Sequence, residues 1–223
     1  MSVIEHPPIF RLPGIPDHVT YTWLVMAILT VAAFVASRNV QMVPRGLQNF
    51  FEVVLEQFQQ MIDDVIGREG RPFLPLIATL GLFILVANLL SLVPGMNGPT
   101  TNLNTTAACA LVVFFAYHYI GIRKQGPLTY LKHFMGPVPL ALKPLMFVIE
   151  IISHLARPLS LSIRLAANLT ADHTVVGGFY HLFELFAPVP MMLLGVIVCV
   201  VQTLVFCILS TVYISMAIAH EEH

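Results

Sequence analysis

The sequence predicts an all-α, polytopic membrane protein with about five transmembrane helices, one interfacial amphipathic helix, and a long, strongly tilted last pair of spans. Three observations carry this. Of 223 residues, 57% are hydrophobic and only 10% are charged, where soluble domains carry about 25% charged residues. The apolar residues gather in runs long enough to cross a hydrocarbon core about 30 Å thick, which takes about 20 residues of helix. One further run alternates apolar and polar residues at helical spacing. The whole chain, 1–223, reads as a single integral membrane domain. Its formal net charge of −1 offers no bulk attraction to nucleic acid.

The spanning segments fall at 19–36, 73–93, 103–122, 140–170 and 190–219. The first follows Pro and acidic residues, not a basic stretch, so it is expected to stay as an anchor and not to be cleaved as a signal peptide. Between the first and second, residues 44–66 place Leu47, Phe50, Phe51, Val54, Leu55, Phe58, Met61 and Ile62 on one helical face. Glu52, Glu56, Gln59, Gln60 and Asp63 take the other, the pattern of a helix lying in the membrane interface. Gly126 to Met135 is a second, shorter interfacial candidate. Cys109, Cys199 and Cys207 all lie within apolar runs at no metal-ligand spacing, and read as small buried hydrophobes.

Basic residues orient the bundle. Arg38, Arg45, Arg68 and Arg71 lie between the first and second spans, and Arg123, Lys124, Lys132 and Lys143 between the third and fourth. The loops between the second and third spans and between the fourth and fifth hold none. The positive-inside rule then puts the N-terminus outside and the C-terminus in the cytoplasm. Of the 11 basic residues, Arg11 precedes the first span on the outside, and only Arg157 and Arg164 are left to the membrane.

An arginine at mid-bilayer costs at least about 2.5–3.5 kcal/mol even on the mildest scale. Glu150, Ser153, Arg157, Ser160, Arg164, Asn168 and Asp172 are spaced by three or four residues, which aligns them on one helical stripe. His154 lies beside it. A lone Ser or Asn in such a helix is ordinarily helix-contact glue. Seven aligned polar positions, with two Arg, a Glu and an Asp among them, fit a hydrated ion path better than a packing stripe. Lys143 to Thr170 would run about 42 Å as helix, longer than the hydrocarbon core, and tilt, kink or protrusion must absorb the excess. Pro158 frees a backbone carbonyl and favours a bend. The fifth span offers Gln202, Thr203, Ser210, Thr211, Tyr213 and Ser215. Gln202 stands out, because an uncharged amide facing Arg164 would leave its charge available.

The stretch ARPLSLSIRLAANLTADH, Ala156 to His173, closely resembles the signature of subunit a of F-type ATP synthases. The C-terminal run QTLVFCILSTVYISMAIAHEEH, Gln202 to His223, resembles the same family, and PTTNLNTTAACAL, Pro99 to Leu111, is similar to the entrance of its third span. The resemblance covers essentially the whole chain with the same order of five spans. It implies a proton-translocating stator that presents two offset half-channels to a ring of c subunits, held by a b-subunit peripheral stalk with the other synthase subunits. It implies a multi-pass protein of the bacterial inner membrane, with no cofactor and no catalytic site of its own. The family's essential Arg maps onto Arg164, its partner amide onto Gln202, and its Asn onto Asn168, while Glu150 and Ser153 match polar positions on the cytoplasmic side. An outer path is expected through Asn168, Asp172, His173 and Gln202, with His181 and Glu184 as further candidates. An inner path is expected through Ser160, Ser153, His154 and Glu150. Arg157 is expected to set helix position or to pair with Glu150 or a lipid phosphate. Two positions depart from a common bacterial pattern: His173 stands where many members have Glu, and Gly195 where many have His. Asp172 is a candidate to supply what Gly195 lacks.

Two rival readings make different demands. A secondary ion transporter or channel would show an internal inverted repeat or broken helices around a midplane site, and the five spans do not divide into equal halves. An intramembrane metalloenzyme would need His173, His181 and Glu184 as ligands, but their spacing is weak and no HExxH motif is present.

Overall fold

A computed structural model describes residues 16–38, 41, 46–93, 96, 98–126, 142–182 and 188–218. Among these residues there are helices and turns and no strand. The α-helices are α1 (Asp17–Arg38), α2 (Leu47–Val65), α3 (Leu74–Ser91), α4 (Leu103–Gln125), α5 (Lys143–Leu182) and α6 (Pro188–Ile218). Short 3-10 turns at Arg68–Phe73 and Pro99–Thr101 lead into α3 and α4. Five stretches are long and apolar enough to cross a membrane: Asp17–Arg38, Arg68–Ser91, Leu103–Lys124, Lys143–Ala171 and Met192–Ile218. The second interfacial candidate, beyond Gly126, lies outside the described residues.

Local chemistry sets the helix ends. Pro75 sits in the first turn of α3, where a missing N–H costs nothing. Asn102 caps α4, its side-chain oxygen accepting from the Asn104 N–H at 2.9 Å. Arg123 and Lys124 occupy the last turn of α4, where cations suit the helix dipole, and Gly126 leaves the helix at φ 80°.

The core forms where α3, α4, α5 and α6 meet, around Ile77, Ile84, Val113, Tyr117, Leu165 and Phe206. α4 packs along α5, and α6 touches α3, α4 and α5. α2 divides its apolar residues. Phe58 and Ile62 are buried against the bundle, while Leu47, Phe50, Val53 and Leu55 stay exposed on the side left for lipid. Gly81 makes room for this docking: a Cβ there would stand 2.7 Å from Phe58 Cζ and 2.8 Å from Cys207 Sγ. All three cysteines are buried.

Ion pairs tie the basic end together. Arg71 grips Asp63 with two parallel hydrogen bonds of 3.1 and 2.8 Å, and Lys124 Nζ lies 3.3 Å from Glu69 Oε2. The hydrogen bonds from Arg71 hold the Asp63 carboxyl below its ordinary value.

α5 is 40 residues long, about 60 Å at 1.5 Å per residue. It continues through Pro158 and runs past residue 170 to Leu182, into a stretch the sequence reading leaves as loop. α6, at 31 residues, is about 46 Å long. Both exceed the hydrocarbon core.

Candidate functional site

The stripe on α5 changes character along its length. Glu150, Ser153, His154 and Arg157 are half-buried, whereas Ser160, Arg164 and Asn168 are exposed. The backbone of Asp172 and His173 continues α5, but their side chains, like that of His181, lie outside the described ones, as does Glu184. The trio needed for a metal site therefore lies there too.

Arg164 is exposed on the outer surface of the bundle, on a helix whose other faces also expose Leu155, Leu159 and Ile163. Around it on the same face, one and two turns to either side, Ala156, Ser160, Ala167 and Ala171 are small and exposed, beside the stripe residues Arg157 and Asn168. The ion pairs among the described residues join Arg71 to Asp63, Lys124 to Glu69 and His154 to Glu150. Arg164 takes part in none, and no described side chain hydrogen-bonds it. A guanidinium on a membrane-spanning helix is tolerated only if something beyond these described side chains satisfies it.

Gln202 is 6% exposed, and its Oε1 accepts a hydrogen bond from Asn168 Nδ2 at 2.7 Å. The amide expected to face Arg164 thus bonds the residue one turn further along α5. The reason is its burial: a buried amide oxygen needs a donor, and Asn168 supplies a neutral one. The remaining hydroxyls deep in α6 turn inward on their own helix. Thr203 donates to the Cys199 carbonyl at 2.8 Å, Ser210 to Phe206 at 2.8 Å and Thr211 to Cys207 at 2.7 Å. Gly195 is buried.

Toward the basic end, a polar network joins α4 to α5. His154 Nε2 lies 3.2 Å from Glu150 Oε1, and His154 Nδ1 is 2.9 Å from the Tyr117 hydroxyl. The His118 ring stands 5.2 Å from that of His154, and its Nδ1 is 2.9 Å from the Phe114 carbonyl. Arg157 packs its guanidinium over the Tyr213 ring of α6, 5.3 Å from the centroid. Of the roles expected for Arg157, this contact fits setting helix position, through cation–π attraction.

At the opposite end, Thr20 and Tyr21 of α1, Asn88 of α3 and Thr100 of the 3-10 turn bury side-chain polar atoms that have no protein partner. Nearby, Asn102 Nδ2 is 3.3 Å from His18 Nδ1, and α5 also touches the Pro99–Thr101 turn. Buried polar groups of this kind are ordinarily bonded to ordered water. The sequence reading missed these residues and Tyr117 and His118. Asn88, alone in an apolar run, was the one available signal.

Together these features define a class: a multi-pass helical membrane protein with a polar track along its longest helix and an unpaired cation at its surface. A family model described as "ATP synthase A chain" matches residues 19–215. "ATP synthase subunit a 1" of Pelobacter propionicus is 50% identical over 198 residues, covering 89% of this chain and 86% of its own length. "ATP synthase subunit a" of Geobacter sulfurreducens is 49% identical over the same shares. Its counterpart in Citrifermentans bemidjiense is 46% identical over 215 residues, 96% of this chain and 93% of its own. The chain belongs to the ATP synthase A chain family, the proton-translocating membrane stator of ATP synthase.

Proposed function

We propose that this chain carries protons between two offset half-paths and the c-subunit ring, with Arg164 as the fixed charge that separates them. The observation that carries the reading is the guanidinium of Arg164, exposed and unpaired among the described residues, on a face rich in small residues. Small residues let a neighbouring helix approach closely, so a carboxylate on a passing rotor helix can reach Arg164. Arginine stays protonated at every relevant pH. Beside it a rotor carboxylate is favoured in its ionised form, and away from it, facing lipid, desolvation favours the protonated form. Proton release and uptake are thereby forced at one angular position. The same charge repels a proton in transit between the half-paths, so flow requires rotation. Each proton crossing 100 mV supplies about 2.3 kcal/mol to turn the ring.

The outer path runs through Asn168, Asp172, His173 and Gln202. It is supported by the Asn168–Gln202 bond and by the unpartnered buried polar atoms at that end, which suit a hydrated entrance. The inner path runs through Ser160, Ser153, His154 and Glu150 toward the basic end. We place that end in the cytoplasm of a bacterial cell by the positive-inside rule, with the peripheral stalk b subunit as a further partner.

The test is Arg164→Ala in the whole complex. ATP-driven proton pumping into inverted vesicles should vanish, while the ring still co-purifies and ATP is still hydrolysed. Normal pumping in that variant would rule the mechanism out. A chain that conducts ions alone, with no ring, would favour a self-contained channel or transporter instead.

A further inference from the structure

The inner path as read from α5 stops at His154 and Glu150, yet the structure gives this pair a third member on a different helix. We infer that Tyr117 of α4 is a positioning residue for proton exit: its hydroxyl fixes the His154 ring so that Nε2–H is held on the Glu150 carboxylate. The inference rests on the inner-path reading above and extends it to α4.

The geometry determines who donates. An ionised carboxylate only accepts, so His154 Nε2, 3.2 Å from Glu150 Oε1, is the donor. In a neutral imidazole the other nitrogen must then accept. Tyr117 Oη, 2.9 Å from His154 Nδ1, supplies that hydrogen. Tyr117 is itself rigid: it is 1% exposed and packs edge-on against Phe114 at 5.5 Å. The hydroxyl is therefore an anchor in the bundle core, and the imidazole transmits its orientation to the carboxylate. One oxygen of Glu150 is occupied by His154, which leaves the other to receive a proton from the path and release it to the cytoplasm. No proton remains behind on Tyr117 or His154.

Among the described residues, the titratable and charged groups around this pair include Arg157 on α5, Tyr117 and His118 on α4, and Tyr213 on α6. Arg157 is the only one with a permanent charge, and it lies over the Tyr213 ring. Among the described residues Glu150 thus has His154, and not Arg157, as its ion-pair partner.

The experiment uses the intact complex in inverted vesicles, whose outer medium bathes the cytoplasmic end. ATP-driven pumping is followed as the pH of that medium is varied. Tyr117→Phe removes one oxygen and preserves the ring packing. It should slow pumping by roughly five- to tenfold and shift the pH profile, since the His154 ring is no longer held with its Nε2–H on the carboxylate. His154→Gln, which keeps an amide donor toward Glu150, should shift the profile less than His154→Leu, which should shift it as Tyr117→Phe does. A wild-type profile in Tyr117→Phe would overturn the inference. Should that variant not assemble, identical profiles in the two His154 variants would overturn it equally. With Arg164→Ala measured alongside, loss of pumping there combined with an unshifted Tyr117→Phe profile removes only the role of Tyr117. Normal pumping by Arg164→Ala removes the stator reading itself.

Discussion

At the scale of single residues, the site depends on which polar groups are satisfied inside the chain and which are left for a partner. Asn168 and Gln202 satisfy each other, but unequally, because Gln202 is buried and Asn168 is exposed. Asn168→Leu strands the buried Gln202 oxygen and should cost about 0.6–1.7 kcal/mol, the range measured for interhelical hydrogen bonds in membranes. Gln202→Leu frees an amide that can hydrate and should cost less. Denaturation of the purified complex in mixed detergent micelles would rank the two, and the reverse order would contradict the burial argument. Arg164 was legible from sequence because a charge in an apolar run has few explanations. Tyr117 was not: its partner His154 lies 37 residues away, and a tyrosine in the inner half of a span looks like any interfacial aromatic.

At the scale of elements, helix identity was legible from apolar periodicity, and helix ends were less so. The sequence around residue 170 turns polar, which suggested a boundary, yet α5 continues to Leu182. The helix there runs through Gly177 and Gly178, a pair that ordinarily marks a turn, so local sequence signals pointed away from the helix that forms. Docking of α2 depends on a contact that no periodicity reveals. Gly81→Val would drive atoms into Phe58 and Cys207, and overpacking of this kind typically costs about 1–3 kcal/mol. Membrane levels of the subunit should fall in Gly81→Val and recover in part when Phe58→Ala is added. The Asp63–Arg71 pair should respond to acid. Because its carboxyl is held low, its contribution is present above the unfolded value near 3.8 and is lost as pH falls through the lower folded value. Hydrogen-exchange protection of residues 66–71 should weaken across that acid range in the wild type. In Asp63→Asn it should be weakened already at neutral pH, and equal protection in both proteins would discount the pair.

At the scale of the whole molecule, the bundle is asymmetric in a way that suits a motor part and not a self-contained channel. Its polar atoms are bonded inward toward the basic end, buried without protein partners at the other, and exposed on the face of Arg164 between them. In the proposed reading, the two access routes then approach Arg164 from opposite ends of the bundle. The order of spans and the location of the cation followed from composition and spacing. That α1, α3 and the Pro99–Thr101 turn come together with buried polar atoms did not, because those residues meet only when the chain folds. The central claim is that Arg164 keeps the two routes from joining. It is tested most directly by proton flux under an imposed potential, in vesicles whose ring is cross-linked to this chain so that rotation stops. Wild-type vesicles should then be tight, and Arg164→Ala vesicles should leak. Equal tightness in both would contradict the claim.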